Sequence, residues 1–542
     1  MSSERQSAAD TDAMDRRRFI KLGAAGGSTI ALSGILSACG GGSAKSSATG
    51  APVSGVDTAK PPARASGVLR VANDSAPLSL DPAVDVGPGL FLARNLYGGL
   101  SAYGPNGEVI PWLAQSVSSN EDATEWTFKL REGVKFHDGS ELDSVAVKKS
   151  YEHYIASKSL WTTPIPAGSE FDASDPGVFK IKSKTTAPDV GRTAPIIQIF
   201  SSKLLAKGIG APAKTPVGAG PYKFRSYTQN QSVILDANED FWGDGPYFER
   251  LEFRIINEPT ARVAALRSGG LDLVYKVGPE QLPQLRNDSK FRIVSGELWT
   301  GTSLVLITDD GTLSNPDVRR AIAHAIDRQA LIKKIALDEA SPLNSFFPHG
   351  VYGAVQPKTT YDYNPDEAKT LLAQAGVKPG QISIRIASNA AFSPRNVALV
   401  QAIAQMISDV GIKATADVVD LGGFQTAIVG RKKAPKWWGY AANAGWLNGG
   451  PIFVATGYLS QTSGWNPPDY QALAKKAMAT ADGPERESLL SQIQEKIAAD
   501  APIVPLYQPK ISSVMKADIH GFTNPRDAYL NYYGNTFRAA AS

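Results

Sequence analysis

Residues Trp126 to His153 read WTFKLREGVKFHDGSELDSVAVKKSYEH, and this stretch constrains the fold more than any other. Trp126, Phe128 and Leu130 alternate with Thr127, Lys129 and Arg131, the period-2 pattern of a half-buried strand. Arg131-Glu132-Gly133 turns the chain into a shorter apolar beat at Val134 and Phe136, read as a short strand. His137-Asp138-Gly139 makes a second turn, with glycine free to take positive φ. Asp143 or Ser144 is placed to cap a helix carrying Val145, Val147, Tyr151 and Tyr154.

At 542 residues the chain is several times a domain of about 100–150 residues, so two or three lobes are expected. Charged residues at 20%, hydrophobic residues at 42% and a net charge of +4 describe a soluble globular body. No dense Lys/Arg cluster is interleaved with aromatics, which argues against nucleic acid as a partner. Arg431-Lys432-Lys433 reads as a solvated loop.

The single cysteine, Cys39, excludes an intramolecular disulfide and a cysteine-based metal site. Its surroundings explain it better. Arg16-Arg17-Arg18-Phe19-Ile20-Lys21 resembles the twin-arginine export motif, and the run from Leu22 to Ala38 suits a signal-peptide core. Leu36-Ser37-Ala38-Cys39 is similar to a bacterial lipobox, which implies lipidation of Cys39 and removal of residues 1–38. Residues 39–66 are rich in Gly, Ser, Ala and Pro and read as a flexible tether.

The remaining chain alternates strand and helix patterns. Leu69 to Ala72 begins a strand, and a helix follows over Leu90 to Tyr97. Residues 155–215 are less regular. Val217-Gly218-Ala219-Gly220-Pro221 turns into a strand; it lacks the Gly-Lys-Ser/Thr ending and following helix of a phosphate loop. Leu304 to Ile307 is a buried-strand run where the chain is expected to cross between lobes. Asn364 caps a helix, Pro365 takes its first position and Gly376 ends it. Ile382, Ile384 and Ile386, then the helix through Val397, Val400, Ile403 and Ile407, then Ile412, Ala414 and Ala416 form a βαβ unit and a partly parallel sheet. Helices follow through Asp469 to Ala477 and through Leu489 to Ile497, then a strand at Ala501 to Tyr507.

Several of these blocks together resemble the extracellular solute-binding proteins of peptide and nickel ABC transporters, family 5. The run R-x-G-V-x-F-H-D-G at Arg131 to Gly139 carries the resemblance first. Leu80-Asp81-Pro82, Gly218 to Tyr222, Val318 to Arg328, Tyr363-Asn364-Pro365 and Ala501-Pro502-Ile503-Val504-Pro505-Leu506-Tyr507 continue it in order. The resemblance spans about residues 68–535 and implies a two-lobed α/β periplasmic-binding-protein fold, type II, cluster C. The implied lobes are residues 67–303 with 507–542, including a subdomain at 101–215, and residues 304–506. It further implies a monomer that takes a ligand, by family default an oligopeptide or dipeptide, in an interlobe cleft. Permease subunits of an ABC importer at the outer face of the cytoplasmic membrane, or in a periplasmic space, would receive the ligand.

No residue pattern supports an enzyme. His137, His153, His324, His349 and His520 form no metal-binding spacing, and there is no Gly-x-Ser-x-Gly elbow. No cofactor is expected. A secreted hydrolase and a non-transporting sensor of the same fold are the rival readings. In peptide-binding relatives an Asp in a G-W-x-x-D-Y stretch holds the peptide amine; here Gly445 to Gly450 matches that stretch and Gly449 takes the Asp position. A sugar or other non-peptide solute is therefore the alternative ligand. Candidate contacts are the polar Asn73, Ser75, Asn443 and Asn448 and the aromatic Trp299, Trp438, Tyr440 and Trp446, with Trp437 beside them.

Overall fold

Strand β15 (Ile503–Lys516) runs through both halves of the folded body. Its first part pairs antiparallel with β11 (Gly301–Leu306) and with Ala340–Pro342; its second part pairs with β9 (Leu273–Val274) and β10 (Phe291–Glu297). The computed structural model describes residues 59–539 apart from 86, 105–107, 310, 390–393, 420–438, 445–457 and 528–531. Cys39, the export segment and nearly all of the tether lie outside these residues.

Beyond β9 the sheet continues through β1 (Val68–Asn73), β8 (Arg250–Ile255), β7 (Ser232–Ala237) and β6 (Tyr222–Thr228). Beyond β11 it continues through β14 (Gly439–Ala444), β12 (Ser383–Asn389) and β13 (Lys413–Val419). Two apolar cores draw on residues 69–285 and 511–533, and two others draw on residues 304–507.

The Trp126 to His153 stretch builds a smaller sheet. β3 (Glu125–Leu130) lies between β2 (Ala114–Ser119) and β5 (Val178–Lys182), and β4 (Glu170–Asp175) completes it. Helix α1 (Ser144–Ala156) starts at Asp143, whose carboxylate accepts from the Ala146 amide at 2.7 Å. Its Tyr151 packs on Phe179 and Phe171 at 5.1 and 5.6 Å between ring centres. Two expectations are corrected here. Val134 and Phe136 are buried but form no strand; a lone bridge between Lys135 and Glu141 closes the turn, because the apolar pair anchors a loop rather than extending a ladder. The region 155–215 contains the β4–β5 hairpin, whose strand signal is masked by the polar residues Asp172, Ser174 and Asp175.

The second half follows its pattern closely, beginning with α3 (Pro316–Ala325), where Asn315 accepts from the Asp317 amide at 2.9 Å. β12 and β13 are parallel, in register from Ser383 opposite Lys413 to Asn389 opposite Val419, joined by α5 (Pro394–Ser408). Helix α4 (Pro365–Gln374) is capped by Asn364, which accepts from the Glu367 amide at 3.0 Å, and Gly376 leaves it at φ +74°.

The loop at Val217 to Pro221 is filled by the chain itself. A Cβ on Gly218 would lie 2.2 Å from the Leu96 carbonyl, and one on Gly220 would lie 2.4 Å from the Asn95 carbonyl. These glycines serve backbone packing, and no phosphate cradle is left.

Candidate ligand cleft

In an open sheet with parallel strands, ligands meet the carboxyl ends where the strand order switches direction. β1 lies parallel between β8 and β9, and the connection from β8 through α2 (Pro259–Arg267) to β9 crosses over it. The carboxyl ends of these three strands deliver Asn73-Asp74-Ser75, Ile256-Asn257 and Tyr275-Lys276 to one edge.

Asn73 is 4% exposed, and its Oδ1 has no hydrogen-bond partner among the described residues. Its backbone carbonyl accepts from Ile256 at 2.9 Å. Ser75 donates to the Asp74 carboxylate at 2.9 Å. Arg262 turns its guanidinium onto the carbonyls of Ile256 and Asn257 at 2.7 and 2.9 Å. Burial lowers its pKa, opposed by Asp74 and Glu258. Lys276 takes φ +56° and sits 5.3 Å from its neighbour's Tyr275 ring. Burial lowers its pKa, Asp74 and Asp527 raise it, and Arg262 lowers it further. Arg94 lies over the rings of Trp112 and Tyr532 at 5.4 and 5.1 Å, with its pKa lowered by burial against the pull of Tyr532 and Asp527. The edge thus sets Arg262 and Lys276 within electrostatic reach of Asp74, with Asp527 also acting on Lys276, in a low-dielectric setting where each ionised group needs a partner. Arg94, Arg262, Lys276 and Asp527 escape sequence reasoning because the segments that carry Arg94, the Arg262–Lys276 pair and Asp527 are far apart in the chain and only the fold brings them near one another.

The second half presents the same kind of edge. β12, β13 and β14 end at Asn389, Val419 and Ala444, beside the start of antiparallel β11. Asn443 stands opposite Thr302, and Tyr440 opposite Val305 and Ala387. Trp437, Trp438, Trp446, Asn448 and the Gly445 to Gly450 stretch lie outside the described residues.

Trp299, expected as a stacking surface, is 2% exposed. Its ring meets Tyr103 edge-on at 5.4 Å, its amide donates to Arg526 at 2.7 Å, and Gly350 leaves room for its indole edge. It is packed inside the body just before β11.

The histidines are absorbed singly. His153 pairs with Asp81 at 2.8 Å inside the first core, and His324 and His520 contact the Asp362 carbonyl and Arg292. No group of three or more His, Cys, Asp or Glu suited to a metal occurs among the described residues. Among them, no helix is long and apolar enough to cross a membrane.

Two strand edges, one from each half, joined through β11 and β15, define a two-lobed α/β binding protein of the periplasmic-binding-protein class. A family model described as bacterial extracellular solute-binding proteins, family 5, matches residues 108–465, and the chain belongs to that family. Over 496 residues it is 26% identical to di/tripeptide-binding protein 2 of Pseudomonas aeruginosa, covering 84% of this chain and 92% of the relative. It is also 26% identical to a glutathione-binding protein of Pectobacterium atrosepticum over 488 residues, covering 85% and 92%. The fold matches the ABC transporter substrate-binding protein CtaP of Listeria monocytogenes with a TM-score of 0.79 at 20% identity, covering 88% of this chain and all of that one. As a member of that family, the chain is an extracellular solute-binding protein and not an enzyme.

Proposed function

We propose that this protein is a lipid-anchored receptor, held at the outer face of the membrane through Cys39, that captures a small peptide and hands it to an ABC permease. The observation carrying the peptide reading is that relatives aligned along most of the chain are named for di/tripeptides and glutathione. The lobes are residues 67–303 with 507–542, and 304–506, in keeping with the separate apolar cores. Asn73 and Ser75 serve from the first lobe. Tyr440, Asn443, Trp446 and Asn448 serve from the second, with Trp438 beside them. The protein works as a monomer.

A second reading is favoured by Gly449, which takes the position where the resemblance to peptide-binding proteins implies an acid. A solute without a free amine, such as a sugar, needs no counter-charge there.

A thermal-shift screen separates the two, since a ligand bound only by the folded state raises its midpoint. Free di- and tripeptides, their N-acetyl forms, and mono- and disaccharides are the panel. Shifts with free peptides support the first reading; shifts with saccharides alone overturn it. Retention in the membrane fraction, lost in Cys39→Ser, tests the anchor.

A further inference from the structure

Asp189 and Arg192 flank and occupy a short helical turn, Val190–Thr193, that packs in the first core. Asp482 and Arg486 lie between and within α6 (Pro468–Met478) and α7 (Pro484–Asp500), which pack in a core of the other half. The four charges meet. Arg192 straddles the Asp482 carboxylate with contacts of 3.1 and 2.6 Å. Arg486 reaches Asp189 at 2.7 Å, and the two side chains are 0% and 2% exposed. Tyr352 closes the cluster, with the Arg192 guanidinium 3.7 Å from its ring centre.

Each side also carries its own pair. Asp189 and Arg192 stand 3.2 Å apart at i,i+3, and Asp482 and Arg486 stand 2.6 Å apart at i,i+4. Separation of the two sides would therefore strand no naked charge, because each carboxylate keeps a local guanidinium. A permanent contact has no need of this duplication, since a buried ion pair replaced by apolar residues is often as stable or more so. The surroundings agree. Cavities of about 290 and 460 Å³ flank the cluster, one bordered by Trp126, Tyr352 and Arg192, the other by Pro166, Asp189 and Met478. Polar, incompletely filled contacts of this kind are those across which domains move.

We infer that Asp189, Arg192, Asp482 and Arg486 form a reversible electrostatic latch, which engages when the lobes close and sets how much closed protein exists before ligand arrives. The inference rests on the two-lobed receptor reading. Closure exchanges solvated local pairs for a four-charge square, so the latch adjusts the open-to-closed balance without touching ligand. Ligand affinity scales with the fraction of protein in the competent state.

The test uses the full chain in a Cys39→Ser background, with donor and acceptor dyes on cysteines at the exposed positions Ser119 and Gln471. Single-molecule energy transfer is recorded without any solute. Asp482→Asn is expected to shift the closed-to-open ratio towards open by roughly tenfold, in line with the coupling of one well-formed charge pair. The swap Arg192→Asp with Asp482→Arg keeps both cross contacts but places two carboxylates on one side and two guanidiniums on the other. Opening then leaves like charges together, so this variant is expected to be more closed than the parent. Thermal midpoints establish that each variant is folded. Identical transfer distributions in the parent, Asp482→Asn and the swap overturn the latch. A solute panel that changes transfer in none of the three proteins overturns the receptor reading, and leaves the solute-free comparison to decide the latch.

Discussion

His137 reads the Gly218 to Pro221 turn through both of its ring nitrogens: Nε2 donates to the Gly220 carbonyl at 2.9 Å, and Nδ1 accepts from the Gly218 amide at 3.4 Å. That pairing requires the neutral ring. Burial, with a smaller contribution from Lys223, lowers its pKa from 6.5 to about 4 against the Gly220 bond and Asp138.

A pH dependence of stability follows from the sign of that shift. Below pH 6.5 the unfolded chain takes up a proton that the folded ring refuses until about pH 4. The contribution of His137 is therefore complete above pH 6.5 and lost as pH falls towards 4, by up to about 3 kcal/mol. Urea unfolding of the parent and of His137→Gln, which keeps a donor for Gly220, should give a steeper decline between pH 6.5 and 4 in the parent. Parallel curves would remove His137 as the cause.

Gly220→Ala tests why the turn needs glycine. The added Cβ would lie 2.4 Å from the Asn95 carbonyl oxygen. Asn95 cannot retreat easily, because its side chain donates to Phe91 at 2.9 Å and accepts from the Tyr533 amide at 2.9 Å. A loss of about 3 kcal/mol is expected, at the upper end for overpacking. A midpoint within a degree of the parent would show that the segment yields.

The sequence pattern reached the local elements and stopped at their meetings. Asn364, Pro365 and Gly376 bound their helix because capping and termination are chemistry of adjacent residues. The β12–α5–β13 unit was legible because its apolar periods change from two to 3.6 and back. The β4–β5 hairpin was not, since β4 is the edge strand of its four-stranded sheet and its Ser174 and Asp175 are exposed, so little burial enforces alternation. At the cleft, Asn73 was legible as the residue ending a strand that enters the resemblance. Lys276 was not, because only the parallel pairing of Ala72 with Val274 brings its segment beside Asn73. Trp299 was legible as an aromatic, while its burial depends on Tyr103 and Arg526, far away on either side of it in sequence.

Asn73→Ala separates binding from folding. The buried Oδ1 has no acceptor role within the described residues, and an unsatisfied buried acceptor costs about 1–3 kcal/mol. Removing it should leave the thermal midpoint unchanged or raised. If a ligand N–H meets that oxygen, affinity for whichever solute shifts the parent should fall about tenfold, the value of a buried hydrogen bond of roughly 1.4 kcal/mol. Calorimetric titration beside a melting curve reads both. Unchanged affinity would place the ligand away from the end of β1.

Arg486 separates charge from geometry. Its side chain is 0% exposed and spans two acids, reaching Asp189 at 2.7 Å and Asp482 at 2.6 Å, while Nε donates to the Ala477 carbonyl at 3.1 Å. Burial lowers its pKa, but Asp189 and Asp482 outweigh it and the value is raised. Arg486→Lys keeps the charge but offers a point where a planar fork is needed, so one acid loses its partner. Arg486→Met removes the charge and leaves both acids leaning on Arg192 alone. Breaking one member of a buried pair costs about 3–5 kcal/mol, and the shared Arg192 should hold Arg486→Met near the lower value. Arg486→Lys should fall between it and the parent in thermal midpoint. The double variant Asp189→Asn, Arg486→Met keeps the Arg192–Asp482 pair, leaves no buried acid uncompensated and should recover most of the loss. Failure to recover would mean that the hydrogen bond to Ala477 and the packing of the guanidinium, rather than its charge, hold α7 in place.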